Sequence, residues 1–207
     1  MKQSLGRMIP VLVAVVVVIG AAAGVYQALK APPVSEVAPG GQPSTPPPEA
    51  QSIAPEPTGS VPKNVFESPL AGRWYEADPE RLAAEIDGYL DNVSPPELEQ
   101  VMALILPHAG YRYSGQAAAY GIKQVQGKAY SRVVVLGPSH GTPMENIASV
   151  PDATHYSTPL GEVPLDVAFV EELKEHPQFQ TLSFAHQREH SVQIEVPLLQ
   201  HALDDFK

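Results

Sequence analysis

The chain has 207 residues, 23 acidic against 13 basic side chains for a formal net charge of −10, and no cysteine. The acidic balance excludes a phosphate-neutralising nucleic-acid surface, which needs clustered Lys and Arg, and the lack of thiols excludes disulfides and thiolate metal ligands within this sequence. At roughly 150 residues per domain the length exceeds one average domain, but the N-terminus accounts for the excess and one globular domain is expected.

Residues 8–26 carry no charged side chain and are dominated by Val, Ala, Ile and Leu, with Lys2 and Arg7 before them and Lys30 after. This run is close to the roughly 20 residues that span a bilayer and longer than the apolar centre of an ordinary cleaved signal. Residues 1–30 therefore predict a signal anchor, a transmembrane helix that makes the membrane a partner and leaves an exported C-terminal domain at the cell membrane. The small residues Ala21-Ala22-Ala23 offer the alternative of a cleaved signal and a secreted or periplasmic product. Residues 31–64 are rich in Pro, Ser, Gly, Thr and Glu and predict a disordered, partly extended linker.

A folded domain is expected over 65–207. Asp78-Pro79-Glu80 opens a helix, with Asp as N-cap, Pro at the first position, and Leu82, Ile86, Tyr89 and Leu90 on one face. The apolar run Val101–Leu106 predicts a strand buried on both faces. A helix over Gln116 to Val125, capped by Ser114, then leads to a strand over Arg132–Leu136, and this right-handed βαβ crossover makes the two strands parallel. Ile147–Val150 predicts a short strand, Tyr156–Val163 extended chain and Leu165–Lys174 a helix. Ser191–Leu203 predicts a helix capped by Ser191 and broken at Pro197. The fold class is α/β, a mostly parallel sheet with flanking helices, preceded by the N-terminal membrane helix and the disordered linker.

The crossover puts His108 and His140 beyond the same sheet edge, where loops and helix N-termini converge on ligands. Were the strands neighbours, roughly 4.8 Å apart, both imidazoles could reach one metal at about 2.0–2.1 Å. The glycines after each histidine would let a metal or ligand approach the backbone. Candidates to complete the site are His155, His186, Glu189, His190 and Glu195, with Glu189-His190-Ser191 preferred as acid, base or supporting group. His176 and His201, like His155, read as surface residues. Tyr111, Arg112 and Tyr113 can line a pocket for an anionic or aromatic ligand. Ser139 lies outside a Gly-x-Ser-x-Gly elbow and lacks an evident triad acid.

Several of these segments recur in one order: Ala71-Gly-Arg-Trp-Tyr75, Pro107-His-Ala-Gly-Tyr-Arg-Tyr-Ser-Gly115, Leu136-Gly-Pro-Ser-His140, Thr158-Pro-Leu-Gly161 with Asp166, and Glu189-His190-Ser191 followed by Glu195-Val-Pro-Leu-Leu-Gln200. Over about Pro69 to Lys207 the chain resembles the Memo family, whose bacterial members are also known as the B component of the AmmeMemoRadiSam system. The resemblance implies an α/β fold related to the class III extradiol, non-haem iron dioxygenases, with a metal site built partly from His108 and His140. Family members draw further site residues, an Asp, a His and a Cys, from a C-terminal region beyond the segments matched, so the chain is expected to be a fragment. The membrane segment and linker depart from typical members.

Together these readings predict a metal-binding redox enzyme in which His108 and His140 hold iron or copper while Glu189 and His190 assist catalysis. The alternative is a membrane-tethered, non-catalytic module that binds a small molecule or peptide at Tyr111, Arg112 and Tyr113. A zinc hydrolase is disfavoured by the absence of a His-Glu-x-x-His helix.

Overall fold

A computed structural model describes residues 62–207 with side chains and residues 11–15 as backbone. The first strand, β1 (Val11–Val15), lies within the apolar run expected to cross a membrane as a helix, and it is extended instead. The pairing explains why: β1 runs parallel to both β3 (Ala103–Ile105) and β4 (Arg132–Leu136), so its backbone groups are satisfied on both sides. The rest of residues 8–26, and residues 31–61 of the expected linker, lie outside the described residues. Among the described residues, no helix is long and apolar enough to cross a membrane.

After β1 the next described strand is β2 (Val65–Glu67). Helix α1 (Pro79–Asp91) follows its sequence signals closely. The Asp78 carboxylate accepts from Arg81 N at 2.9 Å, Pro79 occupies the first position, and Leu82, Ile86 and Leu90 are buried. A cap of this kind contributes about 1 kcal/mol. Helix α2 (Tyr111–Ile122) begins five residues before the expected Gln116. Tyr111 is buried and its hydroxyl donates to Ile194 O at 3.0 Å, which anchors the first turn. Ser114 sits inside the helix and donates to Ala109 O at 2.9 Å instead of capping.

Among the described residues the strands form three sheets. One is parallel, in the order β3-β1-β4; a second joins β2 to the hairpin β6 (His155–Thr158) and β7 (Gly161–Pro164); the third pairs β5 (Ala148–Ser149) with β8 (Phe179–Gln180). Gly161, at φ 115°, supplies the hairpin's turn conformation that side-chain-bearing residues avoid. The helices α3 (Val167–Lys174), α4 (Ser183–Gln187) and α5 (Glu195–Ala202) complete the chain. Helix α5 starts four residues later than Ser191, leaving Pro197 in its first turn, where the missing N–H costs nothing.

The main core gathers Leu82, Ile86 and Leu90 of α1, Ala118 and Ile122 of α2, and Leu198 and Leu199 of α5 against Leu104 and Leu106. Each fully buried Leu or Ile contributes roughly 1.5–3 kcal/mol. Burial of β3 is one-sided, contrary to the expectation of two buried faces. Leu104 faces the helices, whereas Ile105 is 70 % exposed on the other side. Val133 and Val135 of β4 also pack on this core.

Candidate metal centre

The register pairs Val15 with Ile105 on one side and Leu136 on the other, so β3 and β4 end level with each other. They are not neighbours. With β1 between them they stand about 9.6 Å apart, twice the usual strand spacing. The loops that follow make up this distance: His108 Nε2 and His140 Nε2 lie 3.4 Å apart. His190 arrives from the turn before α5, and one ring nitrogen from each of the three histidines falls within 4.8 Å of the others. The structure thus adds His190 as a third imidazole to the pair singled out as ligands.

Glu189 organises this cluster from outside it. Its carboxylate accepts from His140 N at 2.5 Å, His140 Nδ1 at 2.8 Å, His190 N at 2.8 Å and Ser191 N at 2.9 Å. Desolvation pushes the Glu189 pKa up, but the donors from His140, Ser191 and His190 outweigh it and hold the carboxyl at about 2. A carboxylate on Nδ1 keeps the proton there and leaves Nε2 of His140 with a free lone pair, the arrangement that orients metal-binding histidines. Glu189 Oε1 also lies 3.5 Å from His190 Nδ1. Burial lowers the pKa of His108 and of His190, and the neighbouring His140 lowers both further against the opposing pull of Glu189. Neutral imidazoles are the ligating form.

The rings form a short stack. His190 lies between Trp74 at 4.4 Å and His140 at 4.3 Å, centroid to centroid. Trp74 is held in turn by its carbonyl, which accepts from Tyr111 N at 2.8 Å. In the sequence Trp74 stands out only within the Ala71–Tyr75 segment of the family resemblance, because an indole is not a titratable candidate for the site. Gln193, also missed, is buried and donates to His186 O at 3.0 Å and Glu189 O at 2.6 Å, closing the turn that carries Glu189 and His190.

The glycines serve chain packing more than metal approach. A Cβ on Gly137 would lie 2.2 Å from Ser191 Oγ, so only glycine lets the end of β4 meet the His190 turn. Ser191 Oγ donates to Pro138 O at 2.9 Å at that contact, which is its role in place of capping α5. Nothing lies within 4 Å of a Cβ built on Gly141.

Of the three residues expected to line a pocket, Tyr111 is in the core, while Arg112 and Tyr113 are exposed and stacked, the guanidinium 4.8 Å from the ring centroid. Ser139 bonds to Thr142 O at 2.7 Å in its own turn. His155 contacts Thr154 Oγ1 at 2.8 Å, His201 contacts Asp87 at 2.7 Å, and His186 contacts Ser149 Oγ at 2.8 Å; none belongs to the cluster. Glu195 is buried elsewhere in the core, with no partner for either oxygen among the described residues.

A family model described as "Memo-like protein" matches residues 67–207. The chain is 38 % identical over 130 residues to "Protein memo-1 homolog" of Caenorhabditis elegans, covering 62 % of this chain and 37 % of the relative. It is 34 % identical over 142 residues to "Protein MEMO1" of Homo sapiens, covering 68 % and 47 %. To "MEMO1 family protein" of Archaeoglobus fulgidus it is 38 % identical over 146 residues, covering 67 % and 50 %. The chain therefore spans half or less of the length of these relatives. With two strand-end histidines, a third from the turn before α5 and a family match over the whole described domain beyond β2, the chain belongs to the Memo family.

Proposed function

We propose that this protein binds one transition-metal ion through His108, His140 and His190, and that the ion is iron or copper working in redox chemistry. The convergence of three ring nitrogens within 4.8 Å carries the reading. Imidazole donors suit iron and copper as well as zinc and nickel, and the family resemblance to non-haem iron dioxygenases favours a redox metal. A bound ion of this kind supplies a Lewis-acidic redox centre with positions open to a ligand. The protein's residues supply the rest: Glu189 fixes the His140 tautomer, Trp74 seats the His190 ring, and Arg112 and Tyr113 offer a cation and an aromatic face in the first turn of α2, four and five residues after His108.

Metal analysis of anaerobically purified protein tests this directly. His108→Ala, His140→Ala and His190→Ala are each expected to reduce bound metal to a small fraction of the parent's, and unchanged content in the variants would show that the cluster is not the site. Dioxygen consumption with catechol-like compounds tests the redox assignment.

The exposed Arg112–Tyr113 stack favours one second reading, a binding module for a small molecule or peptide. Capture of a ligand that depends on these two residues but not on metal would select it. In that reading residues 8–26 tether the domain to the cell membrane, or are removed to leave a secreted or periplasmic form. Extraction of membranes at alkaline pH distinguishes a span from the sheet strand, because Val11–Val15 cannot occupy both places at once.

A further inference from the structure

Away from the histidine cluster, α3 is a helix with an apolar stripe and no buried residue. Phe169, Val170 and Leu173 on this stripe face a cavity of about 210 Å³ whose other walls include Val135, Val163 and Val196. A helix of this composition ordinarily closes onto the sheet, since each apolar side chain buried gains roughly 1.5–3 kcal/mol. Two sets of polar contacts tie the walls together beside this space. At one end Arg132 Nε and Nη2 donate to Asp166 Oδ2 at 2.9 and 2.6 Å, with the guanidinium also lying 4.2 Å from the Phe169 ring centroid. At the other, Ser149 Oγ meets His186 Nε2 at 2.8 Å and accepts from Leu182 N at 3.1 Å.

We propose that this chamber is a binding site for an uncharged, mainly apolar small molecule with one hydrogen-bonding group, which meets the Ser149–His186 pole while its hydrocarbon part fills the space under α3. The wall chemistry selects this class. Apolar walls exclude a buried ion, and the Arg132 charge at the rim is already matched by Asp166. An enclosed apolar cavity of about 150 Å³ accommodates benzene; this one is partly open to solvent, and its 210 Å³ admits a ring bearing a short substituent. The site contains none of the three clustered histidines, although His186 and Val192 of its wall also border a smaller pocket lined by Glu189, and it does not depend on the metal assignment.

Benzyl alcohol and ethylbenzene, alike in size and differing in one hydroxyl, are the probes, followed by ligand-observed NMR on the full chain with and without metal. Both are expected to bind, benzyl alcohol more tightly, with affinities unchanged by metal. Val170→Trp, which fills the chamber from a partly exposed helical position, is expected to weaken both at least tenfold while retaining the parent's metal content and melting temperature. Leu173→Phe gives the same reading if the first variant is poorly folded. His186→Phe is expected to abolish the preference for the alcohol. Absence of binding by the parent at millimolar probe, or binding that survives the filling variants, would overturn the proposal.

Discussion

Glu195→Gln is expected to stabilise the protein at pH 8–9 and to flatten its stability profile above neutrality. Glu195 is fully buried, neither carboxyl oxygen has a partner among the described residues, and burial pushes its pKa from 4.5 up to about 8. The folded state thus keeps a proton that the unfolded chain releases near 4.5, so stability falls as pH rises from that value and levels off above about 8. At about 1.4 kcal/mol per pKa unit the full cost is about 4–5 kcal/mol. Other groups act in different windows. His108, His186 and His190, lowered chiefly by burial, gain stability as pH rises and contribute nothing further above 6.5. Glu189, held at about 2, loses its contribution only as pH falls below 4.5. Urea unfolding of parent and variant at pH 6.5, 7.5 and 8.5 therefore isolates Glu195. Parallel profiles for the two proteins would show that the carboxyl finds a partner or water in solution.

Glu189→Ala is expected to be the most damaging single change at the histidine cluster. It strands the N–H groups of His140, His190 and Ser191 and releases the His140 ring. Hydrogen bonds to a charged acceptor contribute roughly 1.5–3 kcal/mol each, and groups left buried without a partner cost about 1–3 kcal/mol. A loss of at least about 3 kcal/mol is expected in urea. Metal affinity in the folded fraction should drop 10- to 100-fold, the usual consequence of removing a carboxylate that orients a ligating histidine. Glu189→Gln retains one acceptor oxygen and should fall between the two. Competition titration against a chromophoric chelator measures the second effect; an affinity equal to the parent's would mean that Glu189 supports the fold alone.

The elements best anticipated from sequence were those with local signals at both ends. Asp78-Pro79 and the Leu82/Ile86/Leu90 stripe specify α1 without help from the rest of the chain. Sheet order was not legible, because strand pairing is set by what fills the space between strands and no local pattern marks Val11–Val15 as their separator. The start of α2 was misjudged for a related reason. Tyr111 looks like a loop aromatic until Ile194, far along the chain, accepts its hydroxyl proton. At the site, His108 and His140 were visible because strand ends are readable and histidine is chemically distinctive. Trp74 and Gly137 act through His190 and Ser191, 116 and 54 positions away, and Gln193 acts by closing the turn just before it, so none is marked by titratable chemistry at its own position.

Trp74 is the chain's single tryptophan, and its indole lies 4.4 Å from the His190 ring, centroid to centroid, at a tilt of 37°. Excited at wavelengths that tyrosine does not absorb, its fluorescence originates at one place, with no second indole to subtract. Iron and copper quench a nearby indole, whereas zinc is spectroscopically silent, so emission intensity should report both occupancy of the cluster and the kind of ion that enters it. Loading, exchange and release can then be followed in real time on the unlabelled protein.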